Sequence, residues 1–143
     1  MEQQQYEVIM EVRDYECDMA DGVNNSVYFN YLEHGRLTAL KSGGIVFAEL
    51  ARQKVGLVTT RIEIDYIHSL VSGDSFIVKT RIQRISRLRF QFIQEIHRLP
   101  DHKLILKATS IGTAVDGNGR PKLSNELQEM LDKICRRNEA TMN

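Results

Sequence analysis

The sequence predicts an α+β fold in which a curved antiparallel sheet of about five strands wraps around one long helix, with a further helix at the C terminus. Three observations carry this. The stretch "VYFNYLEHGRLTAL" repeats apolar or small residues at helical spacing. From residue 55 onward, strand patterns follow one another with only short turns between them, which favours antiparallel neighbours. The length of 143 residues suits one domain with a buried core. That domain is read as 1–143, with residues 136–143 as a polar tail.

Each element has its own signal. In "YEVIMEVRDY", Tyr6, Val8, Met10 and Val12 share one face and Glu7, Glu11 and Arg13 lie mostly opposite, the pattern of a strand with one wet side. After a polar turn at 18–25, Tyr28, Tyr31, Leu32, Gly35 and Ala39 form a helical stripe that starts at an Asn/Ser cap and stops at "SGG". Gly35 within that stripe costs roughly 1 kcal/mol of helix propensity relative to alanine, and close approach to another backbone would explain it. "IVFAELARQ" reads as a short second helix. The segment 55–67 alternates across its second half, Ile62, Ile64 and Tyr66 against Arg61, Glu63 and Asp65. "SFIVKTRIQRIS", "RLRFQFIQEIHRL" and "LILKATSIGTAV" are further strands, punctuated by "SGD", "PDHK" and "DGNG". "SNELQEMLDKICRR" opens on a Ser-Asn cap and aligns Leu127, Met130, Leu131 and Ile134, an amphipathic terminal helix. The sheet's wet outer face needs partial cover, so a homodimer or dimer of dimers is expected.

Composition narrows the function. Lys plus Arg and Asp plus Glu both total 19, so no global field favours nucleic acid or an anionic membrane. No apolar run approaches the length of a membrane span, and the start "MEQQQYEV" is unlike a targeting segment. Cys17 and Cys135 are too few and too scattered for a disulfide framework or a zinc site, and the cytoplasm is the expected compartment. His34, His68, His97 and His102 lack the spacing of a metal site and read as surface residues. No phosphate-binding glycine loop, HExxH, paired CxxC or GxSxG occurs.

The chemistry therefore concentrates in "ECDMADGVNNSVYFNYLEHGR", residues 16–36. Asp18 can brace the turn ahead of the helix, as aspartates commonly do. Equally, a carboxylate just before a helix start faces unpaired backbone amides that bind developing negative charge, while the carboxylate attacks or activates water. Those amides lie around Asn25 and Ser26. Asn24 and Asn25 can hold the turn or orient water and substrate, and the sequence does not divide these roles. Glu33 is a second carboxylate, either a helix residue that is solvated or ion-paired with Arg36 at i+3, or an alternative base facing a cleft. Asp21 reads as a surface residue of the turn. Tyr28 and Tyr31 belong first to the core stripe.

The run "VRDYECDMADGVNNSVYFNYLEHGRLTAL" resembles the N-terminal signature of hotdog-fold acyl thioesterases of the hydroxybenzoyl-CoA thioesterase type. The nearest branch is that of plant acyl-lipid and cyanobacterial dihydroxynaphthoyl-CoA thioesterases, with which the chain also shares "SGD.F.VK.RI". The resemblance covers roughly residues 6–130. It implies a hotdog fold and hydrolysis of a thioester carried by coenzyme A or acyl carrier protein, without metal or organic cofactor. It makes Asp18 the nucleophile or general base, the Asn25 amide the main oxyanion donor, and Asn24 a positioning group. Glu33 becomes the alternative base, because some hotdog enzymes use a helix carboxylate. Asp21 stands where many relatives have glycine, so the loop takes another path or Asp21 adds charge beside Asp18. An acyl tunnel along the helix and the subunit interface would be lined by Tyr28, Tyr31, Leu57, Val58 and Thr59. Arg81, Arg84, Arg87, Arg89, Arg120 and Lys122 offer the carrier's phosphates a surface, or else simply guard a strand edge against aggregation. Two other functions compete. A hotdog dehydratase would want a histidine near this loop, which has none; a non-catalytic acyl-CoA-binding module would use the same scaffold without turnover.

Overall fold

A computed structural model describes residues 5–19 and 22–142, with side chains described as far as residue 135. Strand β1 (Tyr6–Glu11) leads through the short strands β2 (Cys17–Asp18) and β3 (Gly22–Val23) to the long helix α1 (Asn25–Ser42). The short helix α2 (Phe47–Arg52) follows, then β4 (Gly56–Tyr66), β5 (Ser75–Arg84), β6 (Arg89–Leu99) and β7 (Lys103–Val115). Helix α3 (Asn125–Met142) is the last element among the described residues. Five strands form one sheet in the order β1-β5-β6-β7-β4, every pair antiparallel. This is the hotdog arrangement, a sheet wrapped on a central helix.

Alternation aims one face of each strand at α1. Phe76, Val78, Thr80 and Ile82 of β5 and Phe90, Phe92, Gln94 and Ile96 of β6 are all buried, while their sequence neighbours are half-buried or, at Arg89, exposed. The helix stripe answers with Tyr28, Tyr31, Leu32, Gly35 and Ala39, all buried as the spacing predicts. Gly35 is explained by contact, although with side chains rather than backbone. A Cβ there would lie 2.6 Å from Val78 Cγ1, 3.0 Å from Gln94 Nε2 and 3.1 Å from Thr80 Oγ1.

Two apolar clusters divide the core. One gathers the first half of α1 with Val12, Leu70, Phe76 and Leu106; the other gathers Ala39 and Leu40 with Phe90, Phe92 and the buried face of α3. Ser124 caps α3, its hydroxyl accepting from the Leu127 N–H at 3.1 Å. The helix continues through residues 136–142, which the sequence reading leaves as a tail because they carry no apolar period. In β4 a register shift between Thr59 and Arg61 resets the alternation, so only the second half of the strand reads cleanly in sequence.

Candidate active site

Residues Asp14–Glu16 form one turn of 3-10 helix, and β2 and β3 then pair, Cys17 opposite Val23 and Asp18 opposite Gly22. Gly22 is required here: its φ is 99°, and a Cβ would lie 2.8 Å from the Leu70 carbonyl oxygen. The Val23 N–H donates to that carbonyl at 2.9 Å, and the Asn24 N–H donates to the Glu16 carbonyl at 3.1 Å. Asp18 emerges from this hairpin exposed to solvent. Asp21 lies outside the described residues.

Asn24 occupies the position before α1, and its side chain makes no capping bond. Its carbonyl accepts from the Val27 N–H at 2.9 Å. The N–H groups of Asn25 and Ser26 have no acceptor among the described residues. Both residues are exposed. The expected Asn/Ser side-chain cap is thus missing, and the positive end of an 18-residue helix stays open toward solvent. An exposed carboxylate beside open helix amides can attack, or deprotonate water beside, a carbonyl whose oxygen those amides hold.

The tyrosines lie in the core, as the helical stripe predicts. Tyr28 and Tyr31 are each 2% exposed. The Tyr31 hydroxyl donates to Glu16 Oε1 at 2.7 Å, and the Tyr28 hydroxyl accepts from the Leu70 N–H at 3.0 Å. Burial and the neighbouring Glu16 carboxylate push the Tyr31 phenol well above its usual range. The rings meet edge to face, and Tyr66 of β4, 45% exposed, stands against Tyr28 at 5.7 Å between centroids. Glu16 and Tyr66 are site neighbours that the sequence reading misses. The available signal was that buried tyrosine hydroxyls need partners.

Glu33 sits elsewhere. It lies eight residues after Asn25, about 12 Å along the helix axis, so within one protomer it does not share the open amides. With Arg36 and Leu37 it forms one wall of a groove whose other wall is Leu57, Val58 and Thr59 of β4, floored by Phe90 and Phe92. The expected Glu33–Arg36 ion pair is not formed among the described residues. Arg36 instead donates to Gln94 Oε1 at 3.3 Å, and burial lowers its pKa against the opposing effect of the Glu33 charge. The groove thus brings together Glu33, Leu57, Val58 and Thr59, and leaves Tyr28 and Tyr31 outside it.

Of the basic residues, Arg87 and Arg89 are exposed at the turn between β5 and β6. Arg84 is committed to Asp132, to the Ser86 carbonyl at 2.9 Å and to the Arg87 carbonyl. His97 is half-buried rather than a free surface residue, contacting Glu95 Oε1 at 2.7 Å and the His102 carbonyl at 3.2 Å. Among the described residues no group of three or more metal-ligating side chains gathers, and no helix is long and apolar enough to cross a membrane.

Residues 12–134 match the family model of the thioesterase-like superfamily. The chain is 37% identical over 136 residues to a chloroplastic acyl-acyl carrier protein thioesterase of Arabidopsis thaliana, covering 94% of this chain and 72% of that one. A second such Arabidopsis thioesterase is 40% identical over 116 residues, with 81% of this chain and 62% of the relative covered. The solved DHNA-CoA thioesterase from Staphylococcus aureus superposes with a TM-score of 0.86 at 20% identity, over 95% of this chain and 94% of that one. At that identity the likeness is one of fold.

Proposed function

We propose that Asp18 and the first amides of α1 hydrolyse an acyl thioester in this chain, which belongs to the thioesterase-like superfamily and is a thioester hydrolase. The reading is supported by an exposed carboxylate that pairs across the β2–β3 hairpin with Gly22, three residues before a long helix that lacks a side-chain cap. The thioester carbonyl oxygen settles on the Asn25 and Ser26 N–H groups, which stabilise the negative charge that develops on it. Asp18 attacks the carbonyl carbon, or takes a proton from a water that does so. The carbon–sulfur bond then breaks, the thiol leaves with a proton, and water supplies the hydroxyl of the acid product. The side chains of Asn24 and Asn25 flank this point and orient water and substrate. None of these steps requires a metal or an organic cofactor.

The acyl group runs into the groove between α1 and β4, past Leu57, Val58 and Thr59. Glu33 borders that groove and is the reserve base for a substrate held there. The thiol belongs to coenzyme A or to acyl carrier protein, and the exposed Arg87 and Arg89 meet the carrier's phosphates. Strand β4 is an edge of eleven residues, long enough for a second copy to extend the sheet, which makes the enzyme a homodimer or dimer of dimers. We place it in the cytoplasm.

The test is Asp18→Asn assayed on a panel of aromatic and aliphatic acyl-coenzyme A thioesters and one acyl carrier protein thioester. Turnover at the wild-type rate removes Asp18 from the mechanism. Tight acyl-coenzyme A binding by a wild-type protein that turns over none of the panel would favour a non-catalytic binding module.

A further inference from the structure

Phenylalanine would fill the core where Tyr28 and Tyr31 stand, so the two hydroxyls need a separate explanation. They reach opposite ends of the segment that carries Asp18. The Tyr31 hydroxyl holds Glu16, two residues before Asp18, at 2.7 Å. The same Glu16 oxygen accepts the Arg13 N–H at 2.8 Å, and the Glu16 carbonyl accepts the Asn24 N–H at 3.1 Å. Glu16 is therefore tied by its side chain to the second turn of α1 and by its backbone to the residue just before α1. Chain and hydrogen bonds together form a closed loop around the start of the helix. At the far end, the Tyr28 hydroxyl accepts from the Leu70 N–H at 3.0 Å, and the Leu70 carbonyl accepts from Val23 at 2.9 Å. Asp18 makes no side-chain hydrogen bond among the described residues, so its position is set by what holds the segment at either side of it.

Resting on the assignment of Asp18 above, we propose that Tyr31, acting through Glu16, and Tyr28, acting through Leu70, are positioning residues that hold the Asp18 carboxylate in register with the open amides of α1. The Tyr31 phenol remains protonated across the working pH range, because burial and Glu16 raise its pKa, and so it remains a donor. A single Glu16 oxygen accepts both side-chain bonds, so the device requires an acceptor there and not a negative charge. Misplacing a reacting group by about an ångström costs on the order of 100-fold in rate, which sets the scale expected of the clamp.

Four variants test it on lauroyl-coenzyme A and benzoyl-coenzyme A: Tyr31→Phe, Glu16→Ala, Glu16→Gln and Asp18→Asn. Tyr31→Phe and Glu16→Ala should lower kcat ~10- to 100-fold with KM within about twofold, and amide exchange at Asn24 should quicken. Glu16→Gln keeps the accepting oxygen and should restore most of the rate and the slow exchange. A Tyr31→Phe enzyme with wild-type kcat overturns the proposal. So does a Glu16→Gln enzyme as impaired as Glu16→Ala, or a loss carried wholly by KM. Should Tyr31→Phe fail to fold, the contrast between the two Glu16 variants, together with Tyr28→Phe, decides the same question. Full activity of Asp18→Asn overturns the Asp18 assignment instead, while the exchange rates still report whether the hydroxyls hold the segment.

Discussion

At its N-terminal end α1 buries two tyrosines whose hydroxyls are committed to Glu16 and Leu70, and it leaves its first amides open to solvent. From its middle onward the same helix presents Glu33, Arg36 and Leu37 to an open groove against β4, over Phe90 and Phe92. The first region is polar and held by hydrogen bonds on both sides of one exposed carboxylate. The second is walled largely by apolar side chains and holds its one half-buried cation through Gln94. In the proposed function, charge develops at the start of this helix and the acyl group is accommodated roughly two turns on. The distance between them is fixed by helix rise, so chain preference can change at β4 without disturbing Asp18.

The largest test of that division removes the carboxylate. Asp18→Asn should lower hydrolysis by roughly 1,000-fold, within the range of a positioned acid–base or nucleophilic group, and should leave the thermal midpoint near wild type because the side chain is exposed. Glu33→Gln, by contrast, should change kcat by less than about tenfold. Reversed magnitudes in the same kinetic assay would move the chemistry into the groove. Next comes the contact that seats the helix. Gly35→Ala gains up to about 1 kcal/mol of helix propensity, but its Cβ would meet Val78 at 2.6 Å, and overpacking costs about 1–3 kcal/mol. A net loss of about 1–2 kcal/mol should appear in denaturant unfolding.

Narrowing the groove is a smaller effect. Val58, 39% exposed on its β4 wall, replaced by phenylalanine should raise KM for long acyl chains about tenfold, or roughly 1.4 kcal/mol, and leave short or aromatic thioesters nearly unchanged. Equal effects on all chain lengths would place the acyl group elsewhere. Smallest is an acid-stability effect at an ion pair that belongs to neither region. Arg98 holds the Asp101 carboxyl at a pKa of about 2. A carboxyl with a depressed folded pKa contributes its stability above the unfolded value of about 3.9 and loses it as pH falls toward the folded one. Acid unfolding of Asp101→Asn should therefore differ from wild type above pH ~4 and converge with it near pH ~2.

The legibility of the sequence followed local periodicity. The stripe from Tyr28 to Ala39 and the cap at Ser124 were readable because helix and cap are set by neighbours a few positions apart. The second half of β4 was readable as well, since alternation resumes after the irregularity at Thr59. The turn at Asp18 was readable as polar and as preceding a helix. Its anchoring was not, because Glu16 finds Tyr31 fifteen positions away and Tyr28 finds Leu70 forty-two positions away, with no spacing rule connecting them. The helical stripe placed the tyrosines in the core, where they are buried, but the spacing gave no sign of what their hydroxyls would meet. The i+3 rule offered Arg36 to Glu33 as one of two readings, and burial and a glutamine on β6 direct it elsewhere.

Gln94 carries one more consequence. A helix lying on a smooth apolar sheet could slip lengthwise by a turn and still bury similar area, which leaves its setting poorly specified. Here the Gln94 amide donates to the Leu32 carbonyl at 2.9 Å and to Thr80 at 3.0 Å, next to the notch left by Gly35. A one-turn slip would carry the Leu32 carbonyl away from that buried amide and leave it only Thr80 on the neighbouring strand, at a cost of about 1 kcal/mol for the lost bond. Glutamine and glycine together act as a detent: they index α1 to a single stop along the sheet, and the open amides at its start inherit their setting from a contact more than two turns away.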